Sequence, residues 1–221
     1  MLDLFRKRIC WKKFNLTMDS THFKALFERY PQLEVCRSDI ECAFRLLCAT
    51  YEARGKVLIV GNGGSASDAD HIAGELLKAF GKKDHLKGFG LPKSLECHLQ
   101  HALPAIPLAN LHGAFTAYSN DKEPEWVFAQ LVYALGMPGD ILWTLSTSGS
   151  SKNIINAAQV ARAKRMKVLG LSGKSGGQLR DLCDVCICVP EEETFKIQEL
   201  HLPIYHCLCF LLEEHFFSKC Q

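Results

Sequence analysis

The sequence predicts an α/β protein, an open parallel sheet with helices on both faces and further helices ahead of the first strand. Three observations predict it. Short apolar runs alternate with longer stretches of helical period, the pattern of successive βαβ units. Two of those runs end directly in loops rich in glycine or serine, as strands of such a sheet do where they meet ligands. A chain of 221 residues, 48% of them apolar, supplies one substantial core, and neither a repeat nor a shift of composition marks a second domain.

The elements follow in order. Residues 1–18 form a basic lead-in without the apolar centre of a signal peptide, and a start at Met18 would remove it. From Asp19 to Arg54, Phe23, Leu26 and Phe27, then Ile40, Ala43, Phe44 and Leu47, recur at helical intervals. Two helices are expected there, broken near Pro31. Five β-rich runs come next: Val57–Val60, Ala105–Ala109, Ile141–Ser146, Val168–Ser172 and Val185–Val189. Between the third and fourth lies an amphipathic helix, Asn153–Arg165, and a last helix runs from Thr194 to Phe217. The stretch from Lys82 to Leu103 mixes Lys, Gly, His and Pro with weak periodicity and fits a short helix, a flap or an oligomer contact equally.

Composition excludes several classes. A formal charge of +2 gives no reason to expect a nucleic-acid partner or an anionic membrane. No apolar run reaches the ~18–20 residues that span a bilayer. The eleven cysteines are odd in number and lack paired spacing, as in a reducing, cytoplasmic setting. The single C-x-x-C, Cys183 to Cys186, has no second pair to complete a zinc site and reads as small side chains in a buried strand.

The first ligand loop is "GNGGSASD", Gly61 to Asp68, with His71 and Glu75 four apart on the helix that follows. It fits G-x-G-x-x-A, yet no second strand ends in an acidic residue where a dinucleotide ribose would need one. "GLSGKS", Gly170 to Ser175, has two residues between its glycines where a phosphate-binding P-loop has four. No nucleotide cofactor is expected. The second ligand loop, "STSGSS" from Ser146 to Ser151, sets five hydroxyls and a glycine at a helix amino terminus. One capping serine would serve the helix. A row of donors at the positive end of a helix dipole suits a phosphomonoester. The two loops are expected to flank one crevice holding a small phosphorylated ligand.

These motifs resemble the SIS (sugar isomerase) domain, most closely its phosphoheptose isomerase branch. The similarity covers roughly Asp39 to Phe217 within a domain of residues 19–221, and is carried by "GNGGSASDADHIAGEL", "STSGSSKNII", "LSGKSGG" and "IQELHLPIYH". It implies a single domain built on a five-stranded parallel sheet, a homotetramer with active sites shared between subunits, and interconversion of sedoheptulose 7-phosphate with a heptose phosphate. It assigns substrate contacts to Asn62, Gly63, Gly64, Ser65, Ser146, Thr147, Ser148, Ser151 and Gln198, with Asn120 and Asp121 at a sugar-contacting position. Glu75 and His206 match the catalytic pair, and His71, Glu75, Gln198 and His206 match a zinc-binding set of some members. Two positions depart from the pattern: Ala79 stands where a basic side chain is expected, and Phe195 where a carboxylate is.

Chemistry read from the residues is consistent with that likeness. Moving a proton between C1 and C2 through an enediol needs a base and an acid–base partner, work that supplies about 10²–10⁴-fold. Glu75 is the natural base, and His206, whose imidazole titrates near neutrality, is the natural partner. His201 reads as packing or as a support behind the site's residues, and His215 as surface. Gln198 and His206 lie eight apart, about 80° around a helix, so their angles allow both to face one site. A zinc ion there would polarise the carbonyl. The alternative is a non-catalytic SIS protein that binds a phosphosugar or a protein such as a replication initiator. The presence of both Glu75 and His206 speaks for the enzyme.

Overall fold

The structure is a computed structural model that describes residues 20–81 and 91–217. The basic lead-in and the first part of the Lys82–Leu103 stretch lie outside the described residues. Helix α1 (Thr21–Arg29) begins at Ser20, whose hydroxyl accepts from His22 N at 3.1 Å. After a 3₁₀ turn at Pro31–Cys36 comes α2 (Arg37–Glu52). The remaining order is β1 (Val57–Gly61), α3 (Gly64–Leu77), a single turn α4 (Lys93–Glu96), β2 (Ala105–Pro107), α5 (His112–Asp121), α6 (Val127–Leu135), β3 (Ile141–Ser146), α7 (Lys152–Ala163), β4 (Lys167–Ser172), β5 (Val185–Cys188) and α8 (Thr194–Phe217).

The five strands form one parallel sheet in the order β2-β1-β3-β4-β5. Both faces are covered, so the strands read as continuous apolar runs rather than alternating ones. Val57 and Ile59 of β1 face a core built with α1, α2, α3 and α8. Leu58 and Val60 face the opposite core, with α6 and α7. Two-residue periodicity thus splits one strand between two cores. At the amino-terminal edge of the sheet, buried Asp140 binds Lys56 Nζ at 2.6 Å, Lys56 N at 2.9 Å and Met137 N at 2.8 Å, tying the starts of β1 and β3 together.

The chain leaves β1 toward β2 on one side and later returns to β3 on the other. This reversal parts the connections at the carboxyl ends of β1 and β3 and opens a crevice between them. The glycine loop follows β1 and the serine loop follows β3.

Candidate active site

Two helix amino termini face that crevice, α3 after the glycine loop and α7 after the serine loop, each with backbone N–H groups that no helical carbonyl satisfies. The loops are joined across it by a reciprocal amide pair. Asn62 Nδ2 donates to Asn153 Oδ1 at 2.9 Å, and Asn153 Nδ2 donates to Asn62 Oδ1 at 2.8 Å. Ser65 and Ser146 are buried, Thr147 and Ser151 half-buried, and Ser148 exposed. Ser172 Oγ donates to the Ser146 carbonyl at 2.7 Å and fixes the tip of β3 against β4. The buried Ser146 Oγ has no hydrogen-bond partner among the described residues. An orphan hydroxyl at a strand tip asks for a ligand or a water. Beside Thr147 and Ser148 opens a hollow of about 570 Å³ whose far wall carries Lys174, paired with Glu192 at 3.1 Å.

A second group of side chains lies further along the same helix. His71 Nε2 is 3.3 Å from His206 Nε2 and 3.3 Å from Glu75 Oε1, so the carboxylate and the second imidazole meet at one atom. Tyr205 holds the other side of the ring. Its hydroxyl donates to Asp68 Oδ1 at 3.1 Å and stands 3.1 Å from His71 Nδ1. With the phenol proton given to Asp68, the phenol oxygen is free to accept from His71 Nδ1–H, and Nε2 is the nitrogen that Glu75 and His206 approach. Burial raises the Asp68 carboxyl, while the Tyr205 hydrogen bond and His71 pull it partly back. Burial lowers the His206 imidazole, His71 lowers it further, and Glu75 acts the other way.

The two groups lie on parallel stretches of α3 and α8. At the loop end, Gln198 packs so close to Gly64 that a β-carbon there would fall 2.8 Å from its Nε2. Seven residues along α3 and eight along α8 separate that contact from the His71–His206 contact, about 10–12 Å at 1.5 Å per residue. The structure brings His71, Glu75 and His206 into contact and sets Gln198 beside Gly64. Asn120 and Asp121 end α5, exposed, with Asn120 Nδ2 donating to Asp121 Oδ1 at 3.0 Å.

Other residues settle as follows. Ala79 is buried, and its predecessor Lys78 reaches Glu75 Oε2 at 3.0 Å. Phe195 is exposed. His201 is fully buried, as its packing role requires. His215 corrects the surface reading: its side chain is tucked between Glu52, at 3.1 Å, and the edge of Phe44. Cys183, Cys186 and Cys188 are half-buried free thiols, and the Cys183 thiol together with burial pushes Cys186 up to about 12, the Cys188 thiol acting the other way. Sequence reasoning missed Asp68, Tyr205 and Asn153. Asp68 alone left a signal, lying one helical turn before His71.

Among the described residues no three His, Cys, Asp or Glu side chains close into a metal-binding group as they stand. The donor chemistry of the cluster nevertheless suits a cation. Two imidazole nitrogens and a carboxylate oxygen converge, and the two 3.3 Å spacings equal the edge of a tetrahedron with bonds of about 2.0–2.1 Å. The Tyr205 contact fixes the outer nitrogen of His71, as partners of metal-binding histidines do.

Comparison with known proteins agrees with this architecture. Residues 99–173 match the SIS domain family model. A phosphoheptose isomerase of Crocosphaera subtropica is 42% identical over 83% of this chain and 85% of its own length. One from Helicobacter pylori is 40% identical over 85% of this chain and 89% of its own. The solved phosphoheptose isomerase from Francisella tularensis superposes with a TM-score of 0.73 at 31% identity, covering 94% of this chain and all of that one. The enzyme from Neisseria gonorrhoeae gives 0.71 at 31%, covering 87% of this chain and 95% of its own.

Proposed function

The chain belongs to the phosphoheptose isomerase family of SIS-domain proteins, and from that premise we propose how its crevice works on a ketose phosphate. It is an aldose–ketose phosphosugar isomerase, and its substrate is taken to be a seven-carbon sugar phosphate such as sedoheptulose 7-phosphate. The phosphate sits among Ser65, Ser146, Thr147, Ser148 and Ser151, facing the α3 and α7 amino termini. Asn62, Gly63 and Gly64 line the approach, and Gln198 meets the sugar. Asn120 and Asp121 contact sugar hydroxyls from the end of α5. An extended chain covers on the order of 1.2 Å per bond, so the eight bonds from C1 to phosphorus span roughly 10 Å. That length matches the interval between the loops and the imidazole pair.

Glu75 removes a proton from C1 of the open-chain ketose while the C2 carbonyl oxygen takes one from His206, giving the enediol. Glu75 then returns its proton to C2, and the O1 proton passes back to His206 as the C1 carbonyl forms. No proton is gained or lost overall. Burial and His71 lower the His206 imidazole, which makes its imidazolium a readier donor to O2; in the enediol state His206 stands neutral beside the protonated Glu75, and it regains its proton from O1 in the second half. The observation that carries this reading is the meeting of Glu75 and His206 at a single nitrogen of His71. A purely binding protein leaves that cluster without a purpose.

A zinc ion, held by His71, Glu75 and His206 with Gln198 as the fourth ligand, would supply Lewis-acid polarisation of the carbonyl when bound. The molecule is assigned to the cytoplasm and to a homotetramer whose subunits share active sites. No helix among the described residues is long and apolar enough to cross a membrane. The test is incubation with C5–C7 ketose phosphates, with and without chelator, following products by NMR. Conversion of the heptulose phosphate is expected. Failure to convert any of them would remove the isomerase assignment.

A further inference from the structure

Glu75 divides its carboxylate between two neighbours, and only one belongs to the acid–base group. Oε1 faces His71, and Oε2 accepts from Lys78 Nζ at 3.0 Å. An exposed lysine–glutamate pair three residues apart is ordinarily of little consequence. This pair is unequal: the Glu75 side chain is only 13% exposed, against 56% for Lys78. A largely desolvated carboxylate depends on its few partners for its orientation. Lys78 is also the first residue beyond α3, in extended conformation, and Nζ donates a second time, to the Ala79 carbonyl at 3.3 Å. Its head group is thereby fixed from two sides.

Two residues on, Phe80 leans on the His206 ring with centroids 5.4 Å apart and stacks on Phe210 at 4.1 Å. One three-residue segment thus touches both members of the pair, Lys78 at the carboxylate and Phe80 at the imidazole. We propose that Lys78 is a positioning residue for the isomerisation, holding Oε2 so that Oε1 stays turned toward His71 and His206, with Phe80 bracing His206 from the same segment. The proposal rests on the isomerase reading and adds to it a residue outside the acid–base pair.

The experiment compares Lys78→Met and Lys78→Arg with the wild type. Readouts are kcat and KM on sedoheptulose 7-phosphate, the melting temperature, and the imidazole resonances of His71 in the sugar-free protein. Small misplacements of a reacting group lower rates by about 10²-fold. Lys78→Met is therefore expected to lower kcat by roughly 10- to 100-fold with KM within about threefold. Lys78→Arg should recover most of the rate, and the His71 resonances should move in Lys78→Met but not in Lys78→Arg. An unchanged kcat in Lys78→Met, or a raised KM with kcat kept, would overturn the proposal. So would His71 resonances that stay in place. A wild type without turnover would remove the isomerase reading instead, and the resonance comparison would still decide whether Lys78 orients Glu75.

Discussion

Replacing Gly149 by alanine probes the serine loop where it has least room. Gly149 has φ +61°, and a β-carbon on it would lie 2.0 Å from the Gly176 carbonyl oxygen and 2.4 Å from its carbon. Ordinary carbon–oxygen contact begins more than 1 Å beyond that, and both partners are backbone, which does not swing aside as a side chain would. The left-handed conformation alone costs alanine about 1–2 kcal/mol. Parting the loops strains the hydrogen bond from Leu179 N to Gly149 O, 2.9 Å, worth about 1 kcal/mol. Overpacking adds about 1–3 kcal/mol. A loss of roughly 3–6 kcal/mol is expected in urea denaturation. Because the same shift moves Ser148 relative to the α7 amino terminus, phosphosugar affinity by calorimetry should fall at least about tenfold, the equivalent of one or two hydrogen bonds. The matched control is Gly74→Ala in α3, where a β-carbon meets nothing within 4 Å. That change should stabilise by about 0.5–1 kcal/mol through helix propensity. A Gly149→Ala protein as stable as wild type, with full affinity, would refute the loop-to-loop packing argument.

Three further outcomes follow from the same geometry. Glu75→Gln should lower kcat by about 10²–10⁴-fold while phosphosugar binding stays within about threefold, and a mutant as fast as wild type would remove Glu75 as the base. Asp140→Ala strands Lys56 and two backbone donors at the foot of β1 and β3 and should cost about 3 kcal/mol in denaturant unfolding; a change under about 1 kcal/mol would contradict that role. His201 is the pH probe: burial pushes its imidazole down to about 4, with the Ser172 backbone pulling partly back. Its folded value lies below the unfolded 6.5, so its contribution is intact above pH 6.5 and is lost as pH falls toward 4. The wild type should lose about 3 kcal/mol relative to His201→Gln across that window, measured as the difference between their urea curves, and parallel curves would refute it.

Much of the sheet was legible because buried parallel strands advertise themselves as apolar runs. Ile141–Ser146 and α8 from Thr194 to Phe217 have the expected bounds, and the other strands shift by no more than two residues at an end. Helix α5 was not announced, since it buries no residue and so has no apolar stripe to read. The candidate site was legible where ligand-type residues cluster in sequence, in the glycine and serine loops. It was illegible where it depends on contacts across the chain. Tyr205 meets Asp68 over 137 positions, and nothing local in "PIYH" separates a relay tyrosine from a core one.

The central claim is that a proton leaves carbon, goes to Glu75, and returns to the neighbouring carbon. Turnover of sedoheptulose 7-phosphate in D₂O, read by NMR and mass spectrometry, tests it directly. The account predicts an aldose phosphate carrying solvent deuterium at C2, with label and turnover both lost in Glu75→Gln. Product formed at full rate with no deuterium on carbon, or labelling that survives Glu75→Gln unchanged, would contradict it.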